Sequence, residues 1–95
     1  MSQSQTAMDP EQVRTALVRV PRWQVRGREI HRAFDFADFA AALEFVDRIG
    51  ALAAEVGHHP QLELGWGRVE VRLSTHSAGG LSPADFDLAE RIDHL

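Results

Sequence analysis

The stretch Gln61-Leu62-Glu63-Leu64-Gly65-Trp66-Gly67-Arg68-Val69-Glu70-Val71-Arg72-Leu73-Ser74-Thr75, QLELGWGRVEVRLST, decides the fold. From Arg68 to Thr75 the chain alternates strictly. Val69, Val71, Leu73 and Thr75 share one parity, and Arg68, Glu70, Arg72 and Ser74 share the other. A period of two is the signature of a half-buried strand. Leu62 and Leu64 alternate with Gln61 and Glu63 in the same way, and Gly65-Trp66-Gly67 reads as a turn. The whole stretch predicts a β-hairpin with one face on a core and the other towards water.

A second hairpin is expected upstream. Trp23-Gln24-Val25 is a short alternation, Gly27 sits in a polar turn, and Ile30, Phe34 and Phe36 recur with period two. Arg32 is the polar exception in that run. Between the hairpins, Asp38 to about Val56 has helical periodicity. Phe39, Leu43, Val46, Ile49, Ala53 and Val56 form the expected apolar stripe, and Gly57 is the stop. Glu44 precedes Arg48 by four residues, the favourable order for a helix pair. Asp9-Pro10-Glu11-Gln12 opens a first helix with a cap, a proline at the first position and a capping-box glutamine. Val13, Ala16, Leu17 and Val20 give it an apolar side, and Pro21 is its expected end. Ser82-Pro83-Ala84-Asp85 opens a last helix in the same manner, with Leu88, Ile92 and Leu95 as its apolar side. The predicted order is α-β-β-α-β-β-α. Two hairpins and amphipathic helices imply an α+β fold, a four-stranded antiparallel sheet with helices packed on one face.

The chain has 95 residues, 44% of them hydrophobic and 25% charged, the balance of one globular domain. The polar start, MSQSQTAMDP, carries no signal-peptide pattern. Residues 1–8 are expected to be disordered, and 9–95 to form the single domain. A net charge of −4 argues against direct nucleic-acid binding and against an anionic membrane surface. No apolar run is long enough to span a bilayer, and no cysteine supplies a disulfide or a thiolate. A cytoplasmic location is expected.

Chemistry is concentrated in the histidines. His58 and His59 lie on the loop into the third strand, and His76 lies on the loop out of the fourth. In a hairpin these two loops fall at one end of the sheet, so residues distant in sequence converge there. A zinc site suits this set poorly. Adjacent residues of an extended segment point apart, and Pro60 biases His59 to extended geometry. Acid–base catalysis suits it better, because imidazole donates and accepts protons near neutral pH. The plainer alternative is that the histidines fill turns and cap helix carbonyls. His31 and His94 show no evident partner in the sequence. Asp85 is accounted for by its capping-box position. Trp66 suits either a core position or stacking on a planar ligand. Gly79-Gly80 are expected to take backbone angles other residues avoid. Glu55 reads as a solvated helix charge.

The stretch HHPQLELGWGRVEVRLSTHSAGGLSPAD resembles the signature region of the pterin-4a-carbinolamine dehydratase family. The matching elements are His58-His59-Pro60, an aromatic at Trp66, His76 after the alternating strand, Gly80-Leu81-Ser82, and Asp85. The upstream AFDFADFAAALEFVDRIGALAAE resembles the family's strand and long helix, so the resemblance runs from about Trp23 to the C-terminus. It implies dehydration of a 4a-hydroxytetrahydropterin to quinonoid dihydropterin and water, in tetrahydrobiopterin recycling, with no metal and no organic cofactor. It implies His58, His59 and His76 as the catalytic set. His58 and His76 would act as acid and base, and His59 would mainly hold the pterin. Trp66, Thr75, Ser77 and Asp85 are the candidate substrate-binding positions. A homodimer or homotetramer is implied in the same way. Two positions depart from the family pattern. Ala54 stands where an ionisable residue is common, with Glu55 one place later, and Ser77 stands where an acid is common. Relatives of this fold also act through protein contacts, as a coactivator or an assembly factor. A non-catalytic binding or scaffolding module is therefore the alternative reading.

Overall fold

The computed structural model describes residues 6–95. The elements are α1 (Pro10–Leu17), β1 (Gln24–Arg26), β2 (Glu29–Asp35), α2 (Phe39–Val56), β3 (Gln61–Leu64), β4 (Arg68–Leu73) and α3 (Pro83–Asp93), with a 3-10 turn at His76–Ala78. This is the α+β fold and the element order read from the sequence. The sheet runs β1-β2-β4-β3, and every neighbouring pair is antiparallel. The two hairpins thus join through their inner strands, with Ile30 opposite Leu73 and Phe34 opposite Val69.

The alternation of β4 is realised in full. Val69 and Val71 are 0% exposed and Leu73 is 1% exposed, whereas Arg68 is exposed and Glu70 and Arg72 are half-exposed on the other face. The helices cover the apolar face and the polar face stays open. Arg32, the exception in β2, points to the helix side. Its guanidinium meets Asp93 Oδ1 at 2.6 Å and lies 4.2 Å from the centre of the Phe34 ring. The indole N–H of Trp23 donates to the same carboxylate oxygen at 2.8 Å, which pins the end of α3 to the first hairpin.

The long helix begins where Asp38 accepts from the Ala41 N–H at 2.9 Å and ends at Gly57, whose φ of 71° closes it. Its buried face differs from the expected stripe. Ala42, Phe45, Ile49, Leu52 and Ala53 are buried, Val46 is half-buried, and Phe39, Leu43 and Val56 are exposed. Apolar residues lie on more than one side of this helix, so spacing alone left its rotation open. Phe45 sets it. Its ring centre lies 4.7 Å from that of Phe34 and 5.0 Å from that of Phe36. Two other boundaries shift. α1 stops at Leu17, and Val20, fully buried, belongs to the turn that follows. Of the start expected to be disordered, residues 1–5 lie outside the described residues, while the Met8 N–H donates to the Leu81 carbonyl at 2.8 Å.

The rotation of α2 is directly testable. Ile49→Ala removes a fully buried side chain and should cost about 2–5 kcal/mol in urea unfolding. Leu43→Ala on the exposed side should stay within about 0.5 kcal/mol. Equal losses would place Leu43 inside.

Candidate functional site

The site is built where α2 ends and β3 begins. The backbone N–H groups of Gly57 and His58 both donate to the Ala53 carbonyl, at 2.9 and 3.3 Å. The helix end is therefore satisfied by the main chain. The His58 imidazole is not spent on a cap and turns to α3, where its Nε2 lies 2.6 Å from Asp85 Oδ1.

Asp85 is 0% exposed. Its other oxygen, Oδ2, accepts from the Thr75 hydroxyl at 2.8 Å and from the Ser82 N–H at 3.0 Å. The Thr75 and Ser82 hydroxyls are 2.6 Å apart. Since Thr75 gives its proton to Asp85, Ser82 is the donor to Thr75, and the order Ser82 to Thr75 to Asp85 is fixed. The Ser82 N–H contact is the one the capping-box pattern foretold. The Thr75 and His58 contacts are long-range and have no counterpart in that pattern. With Oδ1 as acceptor, Nε2 of the neutral ring carries the proton and Nδ1 keeps its lone pair, an assignment made from the partners. Among the described residues no hydrogen-bond partner engages Nδ1.

The loop after β4 brings Thr75 and Ser82 together. Thr75 and Gly80 form an isolated bridge, with Thr75 N–H to Gly80 O at 2.8 Å and Gly80 N–H to Thr75 O at 3.3 Å. Gly79 has φ 74°, as expected for a glycine-only angle, but Gly80 has no positive φ. Gly80 is small for another reason: a Cβ there would meet the Ala7 Cβ at 3.1 Å.

The pairing of Gln61 with Arg72 sets the loop before β3 beside the loop after β4. His58 and His59 come from the first of these loops. His76 opens the 3-10 turn in the second. His58 is partly buried, and His59, His76 and Ser77 are exposed. Trp66 lies at the other end of the hairpin, about 13 Å of strand away, and is 71% exposed. Within one chain it stands apart from the histidines, and Asp85 stands behind His58 with no surface of its own. Among the described residues no group of three or more histidine, aspartate or glutamate side chains could hold a metal ion. No described helix is long and apolar enough to cross a membrane.

Three further residues are now placed. Glu55, read as a solvated charge, lies 3.3 Å from the Arg91 guanidinium. His31 does have a neighbour, Glu70 at 3.6 Å, and His94 Nδ1 meets the Glu90 carbonyl at 2.7 Å. Ser82 was legible only as a helix cap. Its hydroxyl link to Thr75 depends on the fold of the 75–80 loop.

These features define an α+β domain carrying histidines at one end of a half-covered sheet. The family model described as pterin 4 alpha carbinolamine dehydratase matches residues 6–95, and the chain belongs to that family. A Nocardia farcinica protein with a provisional pterin-4-alpha-carbinolamine dehydratase name is 46% identical over 88 residues, 93% of each chain. One from Acidobacterium capsulatum, named in the same provisional way, is 40% identical over 93% of this chain and 96% of its own. The crystal structure of a Brucella melitensis transcriptional coactivator/pterin dehydratase superposes with a TM-score of 0.87 at 32% identity, covering 94% of this chain and 97% of that one. A pterin dehydratase-like protein identified as a RuBisCO assembly factor in the alpha-carboxysome superposes with a TM-score of 0.63 at 28% identity, covering 77% of this chain and 84% of its own.

The hydrogen-bond order makes a spectroscopic prediction. In its neutral form, His58 should show a protonated Nε2 and an unprotonated Nδ1 in long-range 15N–1H spectra. Asp85→Ala should remove that preference and destabilise the fold by about 3–5 kcal/mol, because three donors lose their acceptor.

Proposed function

We infer that this protein dehydrates a 4a-hydroxytetrahydropterin by general acid–base catalysis at the histidine end of the sheet. The observation that carries the reading is the contact of His58 Nε2 with the buried Asp85 at 2.6 Å, in a chain that belongs to the dehydratase family. The reaction breaks the bond from C4a to the hydroxyl oxygen. One group gives a proton to the leaving oxygen, another takes the proton from the ring nitrogen, and a ring double bond forms as water departs. His58 and His76 are assigned these two roles. His59 is assigned to hold the pterin. Thr75 and Asp85 act through His58, since both side chains are buried and Asp85 bridges them. Asp85 is thus a positioning residue. It fixes the ring orientation and leaves Nδ1 for the substrate.

The second reading, a binding module without turnover, is favoured by one observation: the structural similarity to a dehydratase-like assembly factor. The two readings separate in one assay. The carbinolamine is generated in situ and its dehydration followed optically. The first reading expects acceleration over buffer, with His58→Ala and His76→Ala each lowering kcat by about 10²–10⁴-fold. Asp85→Asn should lower kcat more than it raises KM. Pterin binding with no acceleration would support the module instead.

A further inference from the structure

The polar face of the sheet carries a second feature, unrelated to the histidine end. A hollow of about 400 Å³ opens there, lined by Arg22, Gln24, Arg26, His31, Arg32, Ala33, Arg68 and Glu70. Its size falls within the range of small-ligand sites. Ala33, the register partner of Glu70, has the shortest side chain of the lining residues.

The charge in this hollow is unbalanced. Arg32 borders the hollow but turns its guanidinium to the helix side, where it pairs with Asp93, so three guanidiniums remain on the hollow. Arg22, Arg26 and Arg68 form no ion pair among the described residues, even though Asp35 is the register partner of Arg68. The one lining carboxylate, Glu70, lies 3.6 Å from His31. A chain with net charge −4 therefore gathers unpaired positive charge around one concave surface. All ten basic residues of the chain are arginines, so each offers the planar fork that fits phosphate oxygens two at a time.

We propose that this hollow binds a small phosphate-bearing molecule on the open face of the sheet. A compact ligand suits it better than a nucleic acid. A long polyanion would extend past the hollow along a molecule of net charge −4, which disfavours it within the screening distance.

Isothermal titration of the full chain with inorganic pyrophosphate, at constant ionic strength set by chloride, tests this. The expected result is saturable binding. Arg22→Gln, Arg26→Gln and Arg68→Gln combined should weaken it at least ten-fold. Arg48→Gln, on the exposed side of α2, and His58→Ala should leave it unchanged. The His58 arm separates this site from the proposed dehydratase centre. Circular dichroism of the triple variant, with an unchanged spectrum and melting temperature, excludes misfolding as the cause of lost binding. No saturable heat, equal binding by the triple variant, loss in Arg48→Gln, or an oligonucleotide binding more tightly than pyrophosphate would each overturn the proposal.

Discussion

A carboxylate with no exposed surface holds three separate segments in register. Asp85 accepts from His58 at the end of α2, from Thr75 at the end of β4 and from Ser82 at the start of α3. Left without partners, such a group would cost several kcal/mol, so none of the three segments settles independently of the others. Among the described residues no buried side-chain nitrogen or oxygen lacks a partner. The strands bring two loops to one end, and Asp85 fixes how His58 stands within that end.

The sheet divides the molecule into two unlike surfaces. On one face, Val69, Val71, Leu73 and Ile30 join the helices in a single core cluster. On the other, arginines and glutamates alternate in the open. The division starts in the alternation of β4, the inner strand that pairs on both sides. Arg32 is the residue that crosses it. It is accommodated because Asp93 neutralises it and Phe34 offers a ring face, so a charge on the apolar side is paired and packed.

Much of this was legible in the sequence, for identifiable reasons. Alternation defines both the existence of a strand and which parity is buried, so the buried face of β4 could be read, although the strand ends at Leu73 and Thr75 pairs with Gly80 in an isolated bridge. Gly57 and Pro60 mark a boundary by backbone constraint alone. Helical spacing is weaker information: it gives a period without a phase. α2 has apolar residues at Phe39, Leu43, Phe45, Ile49 and Leu52, and tertiary packing, such as Phe45 on the rings of Phe34 and Phe36, selects which of these turn inward. Asp85 was obscured in a different way. Its capping-box position gives a sufficient local account of one oxygen, and nothing local reveals that the other oxygen reaches His58. Trp66 matched by spacing along the chain, but chain spacing does not say that a hairpin turn lies at the opposite end from the residues that flank the hairpin.

The departure at Ala54 and Glu55 takes on a different weight in three dimensions. A carboxylate moved by one helical position rotates by about 100°. Glu55 accordingly faces α3 and meets Arg91 at 3.3 Å, where both side chains are largely exposed. It contributes to docking two helices and not to the histidine. His58 is nevertheless not left without a carboxylate, because the buried Asp85 lies 2.6 Å from its Nε2. A buried, triply bonded acceptor orients an imidazole more firmly than a solvated glutamate at the end of a mobile side chain, which loses rotamer entropy to hold any one geometry. The orientation of His58 therefore does not depend on an acid at position 54 or 55, and the backbone cap at Ala53 leaves its ring free to be held from the α3 side alone.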